Sequence, residues 1–503
     1  VADNVGVSDN NTTNYKTQLN GRLQYETTIA QNHNIGAMFV YSEEYWHTRS
    51  TGASRNDRIH PSTSEINSAL TNVQSNSGSS ASEGLRSYIG RMNYSAYDKY
   101  LLEFSFRVDG SSKFIKGHQY GFFPTVAVGW RFTEEEFLKK YLSSWLSSGK
   151  LRASWGKLGD NSGVGRFEQL ETLTAMNYMS SDVVKGFVNK KMINKDLSWE
   201  VSTDINVGLD LGFLNNRLRT EIDFYNRLRT GMNRPSQMSI HLTGAYSAPR
   251  ANIGDLLNRG LELNLTWKDK IGNVEYSVNL NGAYNRTVLK EWNEFLSRGW
   301  VYLDMPYHFL YVYENNGIAQ TWQDIYNNTP QGLSPGDVIR KDLNGDGIID
   351  GKDKKAYPNI QRDRPTTTYG ITLQAAWKGF DISMLFNGGL GRKDFWLTDF
   401  NNTAFADRRY ASTWDHWTEP WSLENRGGEW PRLGTSTDRS DNSYWLYNMN
   451  YLRMKNIMLG YNLPKKLLSK ISMTNLRIYA SAENLFTVTQ YPGLDPEKKN
   501  SAR

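Results

Sequence analysis

The stretch Leu197-Ser198-Trp199-Glu200-Val201-Ser202-Thr203-Asp204-Ile205-Asn206-Val207-Gly208-Leu209-Asp210-Leu211-Gly212-Phe213 decides the fold class. Leu197, Trp199, Val201, Ile205, Val207, Leu209, Leu211 and Phe213 fall on one face. Ser198, Glu200, Ser202, Asp204, Asn206 and Asp210 fall on the other. Alternation sustained this far reads as a period-two strand about three times the usual globular length. Val274, Tyr276, Val278, Leu280 and Tyr284 alternate in the same way with Glu275, Ser277, Asn279, Asn281 and Asn285. Leu261, Leu263, Leu265 and Trp267 repeat the pattern, as do Leu102, Phe104 and Phe106. A soluble sandwich uses shorter strands. A membrane barrel needs roughly 9–11 residues per crossing, and these stretches reach or exceed that.

Outward from these strands, the connections alternate in length. Short turns fall at Gln31-Asn32, Tyr97-Asp98, Asn215-Asn216, Lys270 to Gly272 and Lys378-Gly379. Thr133 to Ser144 and Pro464 to Lys470 belong with them; the first opens as a capping box, Thr133-Glu134-Glu135-Glu136, ahead of Phe137 and Leu138. Long connections cover approximately 49–82, 158–195, 231–256, 288–365 and 389–442, with a shorter loop at 109–120. Short on one side and long on the other is the habit of an outer-membrane barrel, with the long loops outside. The expectation is all-β: a transmembrane antiparallel β-barrel with about fourteen strands present. They are placed near 16–29, 33–48, 84–96, 99–108, 121–131, 149–157, 197–213, 217–230, 257–268, 273–287, 366–378, 380–388, 443–462 and 474–487. No internal repeat of propeller or solenoid length is present.

Composition agrees. Aromatic residues make up 13% of the 503 residues, and Tyr and Trp dominate them, as the interfacial girdles of a barrel require. Mean hydropathy is −0.63, and no apolar run is long enough for a spanning helix. Cysteine is absent, which removes disulfides, thiolate metal sites and cysteine nucleophiles. A net charge of +6 on 58 basic and 52 acidic residues, with no basic block, gives no reason to expect nucleic acid as a partner. Val1-Ala2-Asp3-Asn4 is not a signal peptide, and the expectation is an internal piece of a longer precursor.

Two motifs carry chemistry. Asp342-Leu343-Asn344-Gly345-Asp346-Gly347-Ile348-Ile349-Asp350-Gly351-Lys352-Asp353 places oxygen side chains at Asp342, Asn344, Asp346, Asp350 and Asp353, with Gly347 at the sharp turn. Ile348 would add its backbone carbonyl, so the six positions match a Ca²⁺ loop. The competing reading is an acidic turn with no ion. A dockerin is disfavoured, because only one copy is present and Ala356-Tyr357-Pro358 interrupts any following helix. Asp353, where Glu is usual, has less reach for bidentate binding. The second motif is a run of indoles, Trp414, Trp417, Trp421 and Trp430, with Asp415, His416 and Glu419. Trp414, Trp417 and Trp421 are candidate substrate-binding residues that stack on a sugar ring or grip a peptide. Packing of the loop is the alternative for these indoles, and Tyr307, Phe309, Tyr311 and Tyr313 read as loop core. An enzyme is not expected. The histidines His33, His47, His60, His118, His241, His308 and His416 are scattered, and no G-x-S-x-G elbow or phosphate loop occurs.

Several stretches resemble one family. They are LRSYIGRMNY (Leu85 to Tyr94), YLLEFSFRVDGSSKF (Tyr100 to Phe114), GFFPTVAVGWRFTEEEF (Gly121 to Phe137) and LRASWGKLGDN (Leu151 to Asn161). The acidic loop, Pro365 to Gly391, and LRIYASAENLFTVTQYPGLDPE (Leu476 to Glu497) complete the set. Together they resemble the SusC/RagA group of TonB-dependent outer-membrane transporters. The resemblance implies a barrel of about 22 strands filled by an N-terminal plug. Counting back from the strand at 474–487, the plug, the first strands and the final strand are expected to lie outside this chain, so 1–503 is all barrel. The connections 288–365 and 389–442 are then extracellular, and the acidic loop with them. The resemblance further implies import energised by the TonB complex through the plug, a SusD-like surface lipoprotein as lid, outer-membrane lipid around the wall, and a glycan oligosaccharide as substrate. An oligopeptide is the alternative substrate. A non-transporting adhesin or structural barrel is the alternative of another class.

Overall fold

The computed structural model describes residues 6–58, 60, 62–70, 74–142, 144–179, 183–189, 191–243, 248–294, 302–306, 309–362, 364–395, 419–432, 442–468, 473–493 and 495–497. Fourteen strands form one antiparallel sheet in which each strand is hydrogen-bonded to its neighbour in sequence. They are β1 (Val7–Ile29), β2 (His33–Arg55), β3 (Gln74–Ala96), β4 (Tyr100–Ser111), β5 (Tyr120–Trp130), β6 (Leu146–Asp160) and β7 (Glu200–Phe213). The series continues with β8 (Leu218–Thr230), β9 (Gly254–Ile271), β10 (Val274–Trp292), β11 (Thr367–Trp377), β12 (Phe380–Leu390), β13 (Tyr451–Asn462) and β14 (Arg477–Thr489). Among the described residues no helix is long and apolar enough to cross a membrane. The crossing elements are strands.

The short turns explain how such long strands return. Ala30 and Gln31 have φ of 49° and 62°, Tyr97 and Asp98 both 52°, and Lys378 and Gly379 44° and 93°. Positive φ at both central residues matches the turn to the right-handed twist of the flanking strands. Tyr97 accepts this backbone while its ring packs edge-on to His33, with centroids 5.0 Å apart.

The chain divides into two compact units. The first comprises Val1–Arg131, Arg152–Asn206 and Arg227–Asp255. In it, Leu19, Leu23, Tyr25 and Ile29 of β1 project as exposed apolar residues, and Phe39, Met92, Phe104 and Phe122 share that character. The register sets Phe104 opposite Met92, and Phe106 lies 6.2 Å from Phe122. The opposite face of the same strands is polar and ionic: Lys16 pairs with Glu44 at 2.7 Å and Arg91 with Glu103 at 2.6 Å. An apolar face toward lipid and a polar face toward the lumen is the barrel alternation.

The second unit comprises Phe132–Leu151, Val207–Asn226 and Leu256–Arg503. Its strands β10 and β11 pair with Val278 opposite Leu373 and Leu280 opposite Ile371.

The boundaries differ from expectation in three ways. β1, β2 and β3 run well past 16, 48 and 84 toward the loop side, because backbone pairing continues where the sequence turns polar. β7 begins at Glu200: Leu197 is buried beside Phe114 and Val164, and Trp199 packs against that cluster. The expected strand at 443–462 is two, since Leu446–Asn448 pairs with Lys393–Phe395 before β13 begins at Tyr451.

Candidate functional site

The connection from β10 to β11 folds on itself rather than looping freely. Phe309–Tyr313 pairs with Lys354–Gln361, and Asn315–Ile318 pairs with Val338–Arg340. From the first of these pairs, Leu310 and Val312 bury with Val338. Phe395 and Met449 from the β12–β13 connection join the same core, as do Trp445 and, from beyond β14, Tyr491. Three connections therefore share one hydrophobic interior. Burial there pushes the Tyr447 phenol up to about 12 and raises that of Tyr444 as well, which keeps both hydroxyls protonated.

Polar pins fasten the rim. Arg453 reaches Asp495 at 2.5 Å and Glu497 at 2.6 Å, and Arg392, 3% exposed, donates to the carbonyls of Pro496 and Glu497. On the other flank the Trp421 backbone N–H donates to the Trp430 carbonyl at 2.7 Å. The Trp421 indole N–H donates to Gln320 Oε1 at 2.9 Å, and its ring is 6% exposed. Gly336, at φ +92°, makes room: a Cβ there would sit 2.4 Å from the Trp421 ring. Of the candidate binding indoles, Trp421 is thus an interior residue of the loop body. Trp414 and Trp417 lie outside the described residues. Phe309 is buried and Tyr311 and Tyr313 are half-buried in the loop core, while Tyr307 is outside the described residues.

The acidic loop lies on the same body. Asp342 accepts the backbone N–H of Gly345 at 2.6 Å and of Gly347 at 2.9 Å, and the Thr329 hydroxyl at 3.1 Å. Asn344 Oδ1 accepts the Asp346 N–H, Asp346 Oδ1 the Ile348 N–H, and Asp350 Oδ1 the Lys352 N–H, at 3.0, 3.0 and 2.8 Å. Asp353 is fully buried and closes the loop from within. It takes Leu343 N–H at 2.9 Å on one oxygen and Asp350 N–H at 2.8 Å on the other. The Asp350, Leu343 and Asn344 amides hold its carboxyl below the usual range against the opposing effect of burial.

For Ca²⁺ the donors are right in kind, four carboxylates, one amide and one carbonyl, but Asp342 Oδ2 and Asp353 Oδ1 each already accept two hydrogen bonds. Among the described residues, however, no three His, Asp or Glu side chains gather as a metal cluster. The short Asp353 arm is spent on backbone amides.

A second place was not legible in the sequence. In the first unit a cleft of about 240 Å³ opens between Arg107, Asp109, Phe123, Asn161 and Trp199. Arg107 holds Asp109 through two bonds of 3.1 and 3.0 Å, and the Trp199 indole donates to the Gln119 carbonyl at 3.0 Å. Its parts come from distant strands, so no local spacing announces it.

Residues 2–330 match the family described as TonB dependent receptor-like, beta-barrel. The chain belongs to that family. As a TonB-dependent receptor barrel it resides in the outer membrane, with its long connections outside the cell and its short turns in the periplasm. It is 30% identical over 440 residues to TonB-dependent receptor P3 of Formosa agariphila, covering 82% of this chain and 42% of that protein. It is 30% identical over 435 residues to TonB-dependent receptor SusC of Bacteroides thetaiotaomicron, covering 83% of this chain and 42% of SusC. The fold matches that of the RagAB peptide transporter with a TM-score of 0.82 at 23% identity, over 97% of this chain and 53% of that one. The chain spans about half the length of the curated relatives it matches, 42–50%. These relatives are TonB-dependent receptors.

Proposed function

We propose that this receptor barrel is the wall and outer mouth of an active importer for an oligosaccharide, energised by TonB through a plug encoded outside residues 1–503. A SusD-like lipoprotein covers the mouth and delivers ligand, and the chain itself performs no covalent chemistry. The observation that supports this most is the 30% identity to SusC across 83% of the chain. The shared core of three extracellular connections fits the same reading, because a lid needs a fixed surface to close on. Trp414 and Trp417 are the ligand-contacting indoles in this proposal, and Trp421 holds their loop from inside.

Asp342, Asn344, Asp346, Asp350 and Asp353, with the Ile348 carbonyl, are proposed to hold a structural Ca²⁺. The ion would neutralise acidic charge on the loop. In extracellular modules an affinity of roughly 10⁻⁴–10⁻³ M suffices.

The fold match to a peptide transporter favours an oligopeptide as the second reading. Uptake by a strain deleted for the whole gene, offered oligosaccharide and oligopeptide pools separately, tests both. Loss on oligosaccharides supports the first reading and loss on peptides alone the second. Undiminished growth on both pools rejects import.

A further inference from the structure

The connection from β5 to β6 is the one periplasmic turn built as a folded segment long enough to carry its own apolar stripe among the described residues. A tight turn Phe132–Glu134 leads into α1 (Glu136–Leu142). Thr133 fixes this segment to the sheet: its hydroxyl accepts the Gly149 N–H at 2.9 Å and donates to the Gly149 carbonyl at 3.3 Å. Phe132 lies against Gly149, where a Cβ would come within 2.3 Å of its ring. Leu138 and Leu142 turn toward the protein and are half-buried.

The other side of α1 is apolar and uncovered. Phe137 is 63% exposed and Tyr141 74% exposed, one helical turn apart. The stripe continues to Trp145, half-exposed, whose ring stacks on Phe213 with centroids 5.8 Å apart. Phe213 ends the apolar row of β7 that includes Val207, on the face that meets lipid. Exposed Leu151 and Phe224 belong to the same unit. The helix thus extends the lipid-facing surface past the ends of the strands. Lys139 and Lys140, both exposed, place two cations on the faces of α1 beside the stripe.

We propose that α1 is an interfacial foot that lies in the periplasmic leaflet of the outer membrane and binds anionic phospholipid. Phe137 and Tyr141 enter the headgroup–acyl boundary, about 5–10 Å deep, and Lys139 and Lys140 meet lipid phosphates. The foot depends on the membrane placement of the barrel and not on what is imported.

The test uses the full protein with single cysteines at 137, 139, 141 and, as a reference at the turn end of β9, 270. Each carries an environment-sensitive fluorophore, in vesicles of phosphatidylethanolamine and phosphatidylglycerol, and only folded, heat-modifiable barrel is measured. Labels at 137 and 141 are expected to be quenched at least ~2-fold more by shallow spin-labelled lipid than labels at 139 and 270, with aqueous iodide giving the reverse order. K139E together with K140E is expected to abolish any dependence of the 141 signal on phosphatidylglycerol content. Iodide quenching at 137 and 141 equal to that at 270 overturns the proposal, and protection at 137 and 141 that requires a periplasmic extract overturns it in favour of a protein partner. A phosphatidylglycerol dependence unchanged by the double variant overturns the lysine contacts.

Discussion

Arg432 holds Asp337 in a two-pronged grip, Nε to Oδ1 at 2.8 Å and Nη2 to Oδ2 at 3.2 Å, across 95 residues of sequence. The pair joins the segment that carries Trp421 to the hairpin that carries Gly336. Replacing Arg432 with alanine leaves a buried carboxylate short of two donors. The expected local cost is about 1–3 kcal/mol, measured as faster proteolysis within 419–432. Arg432→Lys keeps the charge but not the fork, and should fall between the two. Equal cleavage of all three proteins would refute the role.

Gly336→Val probes the same joint from the other side. A β-branched residue is strained at φ +92°, and its Cβ meets the Trp421 ring. We expect the 419–432 segment to lose hydrogen-exchange protection while the strands of the sheet keep theirs. Retained protection would mean that Trp421 is not seated there.

The acidic loop should respond to pH in a defined direction. The Asp353 carboxyl lies below its ordinary range in the folded loop, so the unfolded loop binds the proton more readily. Its stabilisation is fully present above the ordinary carboxylate range and disappears as pH falls through the depressed value. Exchange protection at the Leu343, Asn344 and Asp350 amides, corrected for intrinsic rates, should follow that course in the absence of Ca²⁺. Asp353→Asn should lose the pH dependence, and a protection profile identical to that of the unaltered protein would contradict the clamp.

Removal of Ca²⁺ with EDTA is expected to increase protease cleavage in the 288–365 connection, and Asp346→Ala should do the same without chelator. If neither treatment changes the cleavage pattern, the loop is an ion-free turn.

The strands were legible because lipid on one side and water on the other impose alternation residue by residue. That is why Leu261, Leu263 and Leu265, or Leu102, Phe104 and Phe106, identify their faces from spacing alone. The same physics explains the boundary errors. Beyond the bilayer no apolar face is required, so the polar run Asn10-Asn11-Thr12-Thr13-Asn14 reads as loop, yet each residue pairs with β2. Trp199 shows the opposite failure, an apolar residue in phase with a strand but packed on Phe114 at 5.2 Å. The loop body and the cleft at Arg107 were hidden for another reason. Their contacts, such as Asp337 with Arg432 or Trp199 with Gln119, join residues far apart in sequence, and no local period records them. The acidic motif was visible by its spacing, but the use of Asp353 as a clamp on backbone amides was not.

The common core beneath the mouth also constrains how such a receptor can diversify. Leu310, Phe395, Trp445 and Tyr491 come from three separate connections, so exchanging any one of them leaves the other two with an unfilled interior. A graft from a relative must carry all three together. Change confined to one connection is restricted to its exposed positions, such as Trp322 and Tyr326, whose rings meet each other at 6.5 Å and not the shared core. Ligand preference can then drift one side chain at a time, while the frame beneath is inherited as a block.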